Sequence, residues 1–204
     1  MSYSPSTTVV PIEFLEIAKS ARLEGNYYEA IKICEEILVE DLGCADAYEE
    51  IGENYLLLKE FNKAKLALKK CYSLNPKNPN VNYLLGFLYS VLQNWERSVE
   101  MLEKANTYIP HHPEILRCLG WSLYHNKRKT QGLGLAILER ARQLAPKDIL
   151  ILCDLGLCYL TEKKLNESEC RFKEAQILDP QNPKITECLN VIEELRQKIK
   201  GVLL

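Results

Sequence analysis

The chain has 204 residues, and its 26 basic and 28 acidic residues give a formal net charge of −2 at pH 7. This balance supplies no positive field for collecting phosphates, so the composition argues against nucleic acid as a partner. Hydrophobic residues make up 47% of the chain, which is enough to bury a sizeable core. No stretch approaches the roughly 20 consecutive apolar residues of a membrane helix, so direct membrane insertion is not expected.

The first predicted element is a flexible N-terminus, residues 1–10. Its sequence, MSYSPSTTVV, lacks the basic start and long apolar run of a signal peptide. We therefore expect a cytoplasmic protein whose eight cysteines are reduced. No Cys-x-x-Cys pair is present, and His111 and His112 lie in a Pro-flanked turn, so neither a metal site nor a cofactor is predicted.

A repeat of helical hairpins follows from residue 11 onward. The segments YEEIGENYLLLKEF, NYLLGFLYSVLQNW, LRCLGWSLYHNKRK and LCDLGLCYLTEKKL align with an apolar-Gly pair in the same slot. The glycines are separated by 34, 34 and 36 residues; they are Gly52, Gly86, Gly120 and Gly156. The prolines of the connections are separated by 34, 36 and 34 residues; they are Pro76, Pro110, Pro146 and Pro180. Such a period predicts stacked supersecondary units, with a two-residue insertion in the polar segment Lys127–Gly134.

Five units are predicted in chain order, and a closing helix follows them. Their ranges are 11–44, 45–78, 79–112, 113–148 and 149–182, with a capping helix at 183–200 and an apolar tail at 201–204. Ala18 takes the glycine slot of the first unit. In the capping helix, Ile185, Leu189, Ile192 and Leu195 recur at helical spacing and predict one buried face.

Local residues support paired helices within each unit. Glycine inside a helix costs about 1 kcal/mol relative to alanine, so its recurrence predicts a close approach of the paired helix. In the segment Asn75–Pro79 the first proline ends one helix, and the second begins the next behind an Asn cap. A bulky residue recurs where the second helix begins, and there Trp95 is expected to wedge between neighbouring helices.

These motifs resemble the tetratricopeptide repeat family over residues 11–200. Unit two shows its pattern best, with Tyr48, Ile51, Gly52, Tyr55, Ala64, Leu68, Cys71 and Pro76. Units three to five depart from the pattern at the alanine slot, which holds Ser98, Gly134 and Ser168. The resemblance implies an all-α fold, an α-solenoid of stacked antiparallel helix hairpins forming a right-handed superhelix. It also implies a non-catalytic protein that holds its ligand in a concave groove lined by the first helix of each unit.

The groove predicted in this way has an acidic entrance and an aromatic middle. Its residues are Asp46, Glu49, Glu50, Glu53, Tyr83, Phe87, Arg117, Trp121, Tyr124, His125 and Leu157. Aromatic side chains in a concave, desolvated place are typical binding anchors, so Trp121 and Phe87 are the first candidates. Two alternatives stay open. In the first, the apolar tail or a second copy of the chain covers the aromatic residues instead of a ligand. In the second, the acidic residues form an ordinary solvated helix face.

The predicted function is a scaffold, adaptor or assembly factor that binds a peptide or an amphipathic helix of another protein. Its ligand is expected to carry apolar anchors with Lys or Arg at the flanks. A homodimer is compatible with the sequence. Alternatives are a dedicated secretion-type chaperone for one client protein, and an enzyme or a redox protein using Cys118, Cys153 and Cys188. The basic run Lys127-Arg128-Lys129 is either a solvated loop or a contact for an acidic partner.

Overall fold

A computed structural model describes residues 12–126 and 128–202, and within these residues every regular element is a helix. The all-helical fold class is therefore confirmed. The chain falls into two compact units, the first ending at Leu92 and the second beginning at Gln93. In each unit, helices of similar length are joined by short turns and pack in pairs.

The described residues of the first unit, 12–92, form five helices. They are α1 (Ile12–Leu23), α2 (Tyr27–Glu40), α3 (Ala45–Leu57), α4 (Phe61–Leu74) and α5 (Pro79–Val91). α1 pairs with α2 and α3 pairs with α4, while α2 also packs on α3 and α4 on α5. Each second helix therefore has one side against its own partner and another against the first helix of the next hairpin. This sharing buries an apolar face that one hairpin alone would leave exposed.

Six α-helices and one short 3₁₀ turn are found in the part of the second unit that the structure describes. They are α6 (Trp95–Tyr108), α7 (Pro113–Asn126), the 3₁₀ turn Arg128–Thr130, α8 (Gln131–Leu144), α9 (Ile149–Thr161), α10 (Leu165–Leu178) and α11 (Pro183–Val202). α7 pairs with α8 and α9 pairs with α10, while α6 packs on α7, α8 on α9 and α10 on α11. Ile185 and Ile192 of α11 are buried against Phe172 and Ala175 of α10.

α11 is longer than its sequence suggests. The predicted capping helix ends at residue 200, whereas the helix continues through Gly201 and Val202. Glycine costs only about 1 kcal/mol inside a helix, and no proline interrupts this segment, so the helix passes through it. The rest of the predicted apolar tail, Leu203 and Leu204, lies outside the described residues.

Three of the recurring glycines, Gly52, Gly120 and Gly156, stand where two helices approach closely, as their spacing predicts. A Cβ built on Gly52 would lie 2.5 Å from Cδ2 of Leu68, and one on Gly156 would lie 2.8 Å from the Phe172 ring. A Cβ on Gly120 would lie 2.8 Å from the carbonyl oxygen of Gly134. These distances are too short for a real Cβ, so a larger residue would displace the Leu68 or Phe172 side chain at Gly52 or Gly156, and the backbone of α8 at Gly120.

The departures from the family's alanine slot have structural reasons. A Cβ on Gly134 would lie 2.5 Å from the backbone nitrogen of Tyr124, so α7 and α8 approach too closely for alanine. The buried Ser168 hydroxyl donates to the carbonyl oxygen of Gly156 at 2.8 Å, and the buried Ser98 and Ser122 hydroxyls are 2.8 Å apart. These serines therefore satisfy their polar atoms inside the helix contacts.

Turns between the paired helices follow one pattern with one exception. Lys59 and Lys163 have positive φ angles of 60° and 59°, and Gly25 occupies the equivalent turn position with φ 84°. The exception is the connection from α7 to α8. There α7 has 14 residues, compared with 13 in α3, α5 and α9, and the 3₁₀ turn precedes α8. This is the segment in which the sequence predicts the insertion, and Lys127 itself lies outside the described residues.

Candidate functional site

An apolar groove of about 590 Å³ lies between α9 and α11 in the second unit. Side chains of α9 form one wall and side chains of α11 the other. The lining includes Leu150, Cys153, Leu157, Leu160, Cys188 and Val191. Leu150 is 56% exposed, Val191 39% and Leu157 37%, although all three are aliphatic. Three large aliphatic side chains thus face solvent in one concave place, which is typical of a binding surface.

Helical periodicity puts these residues on the same wall. Residues 150, 153, 157 and 160 of α9 are three or four apart, so their side chains share one helix face. The opposite face of α9 is buried, with Leu152 and Leu155 fully inaccessible. Phe172 of α10 closes the floor of the groove, and the rim carries the polar residues Asn182, Lys184 and Glu187. The groove therefore combines an apolar interior with a mixed polar edge.

Trp121 and His125, predicted as groove residues, lie in an aromatic cluster on α6 and α7. The His125 ring stacks on Trp95 at 5.0 Å between centroids and meets Trp121 at 4.3 Å with an interplanar angle of 58°. Trp121 is half-buried, and the His125 side chain keeps an exposed edge. Burial against the tryptophans lowers the pKa of His125 below its ordinary value of 6.5. At neutral pH, this cluster is therefore an uncharged aromatic surface.

Trp95 makes the inter-helix contact that its position predicts. It begins α6, whereas its stacking partner His125 belongs to the last turn of α7. A half-buried tryptophan thus joins the second helix of one hairpin to the first helix of the next, as the sequence analysis expects of Trp95.

Two predicted groove residues belong to the packing instead, so the prediction is wrong for Tyr124 and Glu50. Tyr124 is only 2% exposed, and its hydroxyl donates to the carbonyl oxygen of Cys158 at 3.0 Å. Its side chain points from α7 towards α9, because adjacent residues of a helix are rotated by about 100° and this position faces the neighbouring hairpin. Glu50 is 4% exposed, since it faces α1 and accepts hydrogen bonds from Arg22 and Asn54.

The acidic residues of α3 mostly bind neighbouring first helices. Arg22 of α1 pairs with Glu50 at 2.7 Å and with Glu53 at 3.1 Å. Burial raises the pKa of Glu53 above its ordinary value, although Arg22 opposes the shift. Glu49 accepts hydrogen bonds from the Asn78 and Asn80 side chains, the latter at 2.8 Å. These contacts stabilise the stacking of α1, α3 and α5 and leave only Asp46, the fourth predicted acidic residue, as an exposed side chain.

Arg117 plays a similar structural part in the second unit. Its guanidinium is 3.0 Å from the Asp154 carboxylate of α9 and 3.6 Å from Glu114 of α7. Burial disfavours the charged guanidinium, but the interactions with Cys118, Asp154 and Glu114 outweigh it and raise the pKa of Arg117. Burial also raises the pKa of Asp154, although Arg117 opposes that shift. This ion pair joins two first helices, so Arg117 is largely committed to an intramolecular contact.

The remaining predicted residues lie where a ligand can reach them. Tyr83 and Phe87 of α5 are half-buried, and their ring centroids are 6.4 Å apart in a stacked arrangement. Leu157 is part of the groove already described. Leu150 and Val191 were not among the predicted groove residues. Val191 follows Leu157 by 34 residues, so extending the repeat into the capping helix would have found it.

The cysteine thiols offer little chemistry. Burial raises the pKa of Cys153 to about 11, and burial likewise raises the pKa of Cys188, so both thiols stay protonated at neutral pH. Cys118 and Cys158 are buried in the core of the second unit. Within the described residues, no three His, Cys, Asp or Glu side chains are placed to hold a metal ion. Nor does any helix of the described part have the length and apolar character needed to cross a membrane.

Comparison with known families and curated proteins supports the repeat. Residues 45–78 match the family model described as "Tetratricopeptide repeat". The chain is 24% identical over 139 residues to the mouse BBSome complex member BBS4, a match that covers 68% of this chain and 26% of the relative. It is 28% identical over 161 residues to the human protein O-mannosyl-transferase TMTC1, with 75% and 18% covered. The chain thus spans about a quarter or less of these relatives.

Solved structures share the fold. A structure of the hetero-tetramer Cut9–Hcn1 of the APC/C superposes with a TM-score of 0.79 and 17% identity, and the match covers 88% of this chain and 35% of that one. YrrB, described as a tetratricopeptide repeat protein with an unusual peptide-binding site, superposes with a TM-score of 0.67 and 16% identity, with 85% and 89% covered. At these identities the likeness extends to the fold alone.

Proposed function

Because this chain is a tetratricopeptide repeat protein, we propose that it is a non-catalytic interaction module that binds a segment of another protein along its first helices. Binding of other proteins is the general role that the repeat supports. The finer proposal is that the ligand is a peptide or an amphipathic helix, and that its apolar side chains enter the groove between α9 and α11.

The groove is the observation that carries this proposal. Its walls expose Leu150, Leu157 and Val191 to solvent, although exposing such side chains forgoes hydrophobic stabilisation. A binding partner that covers them recovers that free energy. The volume of about 590 Å³ is sufficient for two or three apolar side chains, which is the usual number of anchors that a short helix or extended peptide provides.

Charge favours a ligand with basic flanks. The first helices of the first unit carry Asp46 and Glu49 as well as the two glutamates that share Arg22, so this surface has an excess of negative charge. Lysine or arginine in a ligand would be attracted to this surface of the first unit, and a carboxylate would be repelled. Basic residues beside the apolar anchors therefore stay part of the proposal, as the sequence predicts.

Affinity capture with matched surface variants tests the proposal. The groove variant is Leu150→Glu with Leu157→Glu, which puts two charges in the apolar interior. Its control is Leu133→Glu with Ile177→Glu, since these residues are 55% and 79% exposed on α8 and α10 and do not line the groove. Proteins that bind in the groove should be captured by the unmodified chain and by the control, and should fall at least about tenfold with the groove variant.

Circular dichroism and thermal melting of both variants establish that they remain folded, so that a loss of capture reports on binding. The proposal fails if the groove variant and the control capture the same proteins in the same amounts. A captured protein would then be mapped with overlapping peptides, and a segment without apolar anchors would contradict the ligand proposed here.

A cytoplasmic location remains part of this proposal. The secretion-type chaperone remains a prediction of the sequence analysis, since no feature of the described residues favours it over a general interaction module.

A further inference from the structure

The outer side of α1 exposes two large apolar residues. Phe14 is 44% exposed and Ile17 is 52% exposed. They are three residues apart and therefore lie on the same face of the helix. We name Phe14 and Ile17 the α1 front face.

The equivalent positions of later hairpins are buried. One repeat further along, Ile51 occupies the position of Ile17 and is only 6% exposed. In the fifth hairpin, the equivalents of Phe14 and Ile17 are Leu152 and Leu155, and both are fully buried. The same positions are thus covered in later hairpins and open in the first.

A second helix provides the cover in each of these cases. Ile51 lies in one buried cluster with Cys34 and Ile37 of α2, the helix that precedes α3. Leu155 lies in one cluster with Leu138 of α8, which precedes α9. In the described part of the chain, no helix stands in that position before α1. The uncovered face therefore has the shape and the apolar residues that accept a helix.

The opposite end of the chain is finished differently. α11 covers α10, and its exposed positions are mostly polar: Thr186, Glu187, Asn190, Glu193, Glu194, Gln197 and Lys198. An end-to-end stack of two copies would bring this polar surface against Phe14 and Ile17, which would bury charges without partners. A second copy of the chain is thus a poor cover for the α1 front face.

Charge identifies the chemistry of the helix that fits. Glu13 and Glu16 of α1 and Glu24, which follows this helix, are exposed. Lys19 pairs with Glu16 at 2.8 Å and Arg22 pairs with Glu50, whereas Glu13 and Glu24 add negative charge at this end of the first unit. A helix with an apolar stripe and basic flanks would complement this surface.

We propose that the α1 front face is a second docking site, which takes an amphipathic helix of a partner protein with apolar anchors and lysine or arginine flanks. The helix takes the place that a second helix occupies against every later first helix. The site consists of other residues than the groove between α9 and α11, so the two proposals can be tested separately.

The chain contains a suitable probe for this site. α4, with the sequence FNKAKLALKKCYSL, carries Lys63, Lys65, Lys69 and Lys70 around a buried stripe of Ala64, Ala67, Leu68 and Cys71. In the protein it packs on the first helix α5. A synthetic peptide of this sequence, with alanine in place of Cys71, would present the required chemistry. A hydrocarbon staple between positions 62 and 66, which are exposed in the protein, would keep it helical.

Fluorescence anisotropy of the labelled peptide, titrated with the full chain, measures binding. We expect saturable binding to the unmodified chain and at least about tenfold weaker binding to the double variant Phe14→Glu, Ile17→Glu. Leu23→Glu is the matched control, because Leu23 is 80% exposed in the same helix and lies outside the face; its affinity should stay within about twofold. A peptide with its four lysines replaced by glutamate should lose binding.

Three results would overturn the proposal. One is the absence of saturable binding, or equal binding by the unmodified chain and the Phe14→Glu, Ile17→Glu variant. Another is self-association of the unmodified chain in sedimentation that the same variant abolishes, because a second copy would then be the occupant. The third is strong binding only after residues 1–11 are deleted, because those residues would then be the cover. None of these results would affect the groove variants described above.

Discussion

Replacing Gly134 by alanine should destabilise the protein, although alanine is usual in the family at this slot. The Cβ of alanine would lie 2.5 Å from the backbone nitrogen of Tyr124 and 2.6 Å from the carbonyl oxygen of Gly120. Both are backbone atoms of α7, so no side-chain rotation relieves the overlap. The two helices would have to move apart and would lose part of their contact.

The size of the effect follows from two opposing contributions. Alanine is favoured over glycine inside a helix by about 1 kcal/mol. Overpacking a close contact costs about 3 kcal/mol when only backbone can yield, which is the upper end of the usual range. The net destabilisation is therefore about 2 kcal/mol, which corresponds to a fall of about 4–8 °C in Tm for a chain of this length.

Gly132→Ala is the matched control for this measurement. Gly132 stands two residues earlier in the same helix, and a Cβ there meets nothing within 4 Å. It should leave stability unchanged or raise it by about 0.5 kcal/mol. Urea unfolding followed by circular dichroism compares the two variants. If Gly134→Ala is as stable as Gly132→Ala, the close approach of α7 and α8 is not the reason for this glycine.

Three further predictions concern turns, titration and buried hydroxyls. Lys59→Gly and Lys163→Gly should each raise stability by about 0.5 kcal/mol, because both lysines have left-handed backbone; an unchanged urea midpoint would contradict this. Tryptophan fluorescence should be quenched as the pH falls, because His125 touches both tryptophans and becomes protonated; the midpoint of this quenching should lie below pH 6.5, since the pKa of His125 is lowered. The free energy of unfolding should fall over the same pH range, because the folded state disfavours the charged ring. His125→Gln, which leaves the other two histidines in place, should remove the transition. Ser98→Ala and Ser122→Ala should each lower the free energy of unfolding by about 1 kcal/mol, and the double variant should lower it by less than the sum of the two. Strictly additive losses in thermal melts would show that the two hydroxyls are not coupled.

Much of the fold could be predicted from the sequence because the repeat has a fixed period. The glycines at one slot indicate close helix contacts, and Gly52, Gly120 and Gly156 make them. The Asn cap before Pro79 is also found, since the Asn78 side chain accepts from the backbone nitrogens of Asn80 and Val81. Such features depend on residues close in sequence or one period apart, so the pattern alone reveals them.

The candidate site was less predictable, because burial depends on which neighbour each face of a first helix meets. Tyr124 and His125 are adjacent in sequence, yet Tyr124 is buried against α9 and His125 is exposed beside the tryptophans. A rotation of 100° between adjacent residues separates the two environments. Glu50 was misplaced for a related reason. Its partner Arg22 lies 28 residues earlier, a separation that neither the helical spacing nor the 34-residue period of the repeat pairs.

One position of the repeat shows how charge and apolar surface are divided along the first helices. Successive periods place Lys19, Glu53 and Phe87 in the first unit and Trp121, Leu157 and Val191 in the second. Lys19 pairs with Glu16 of its own helix, and Glu53 pairs with Arg22 across α1 and α3, so both charges already have partners within the protein. The aliphatic residues have no such partner, and covering them yields free energy only when something binds. Substitutions of the charged residues should therefore change mainly stability, whereas substitutions of Leu157 or Val191 should change mainly affinity.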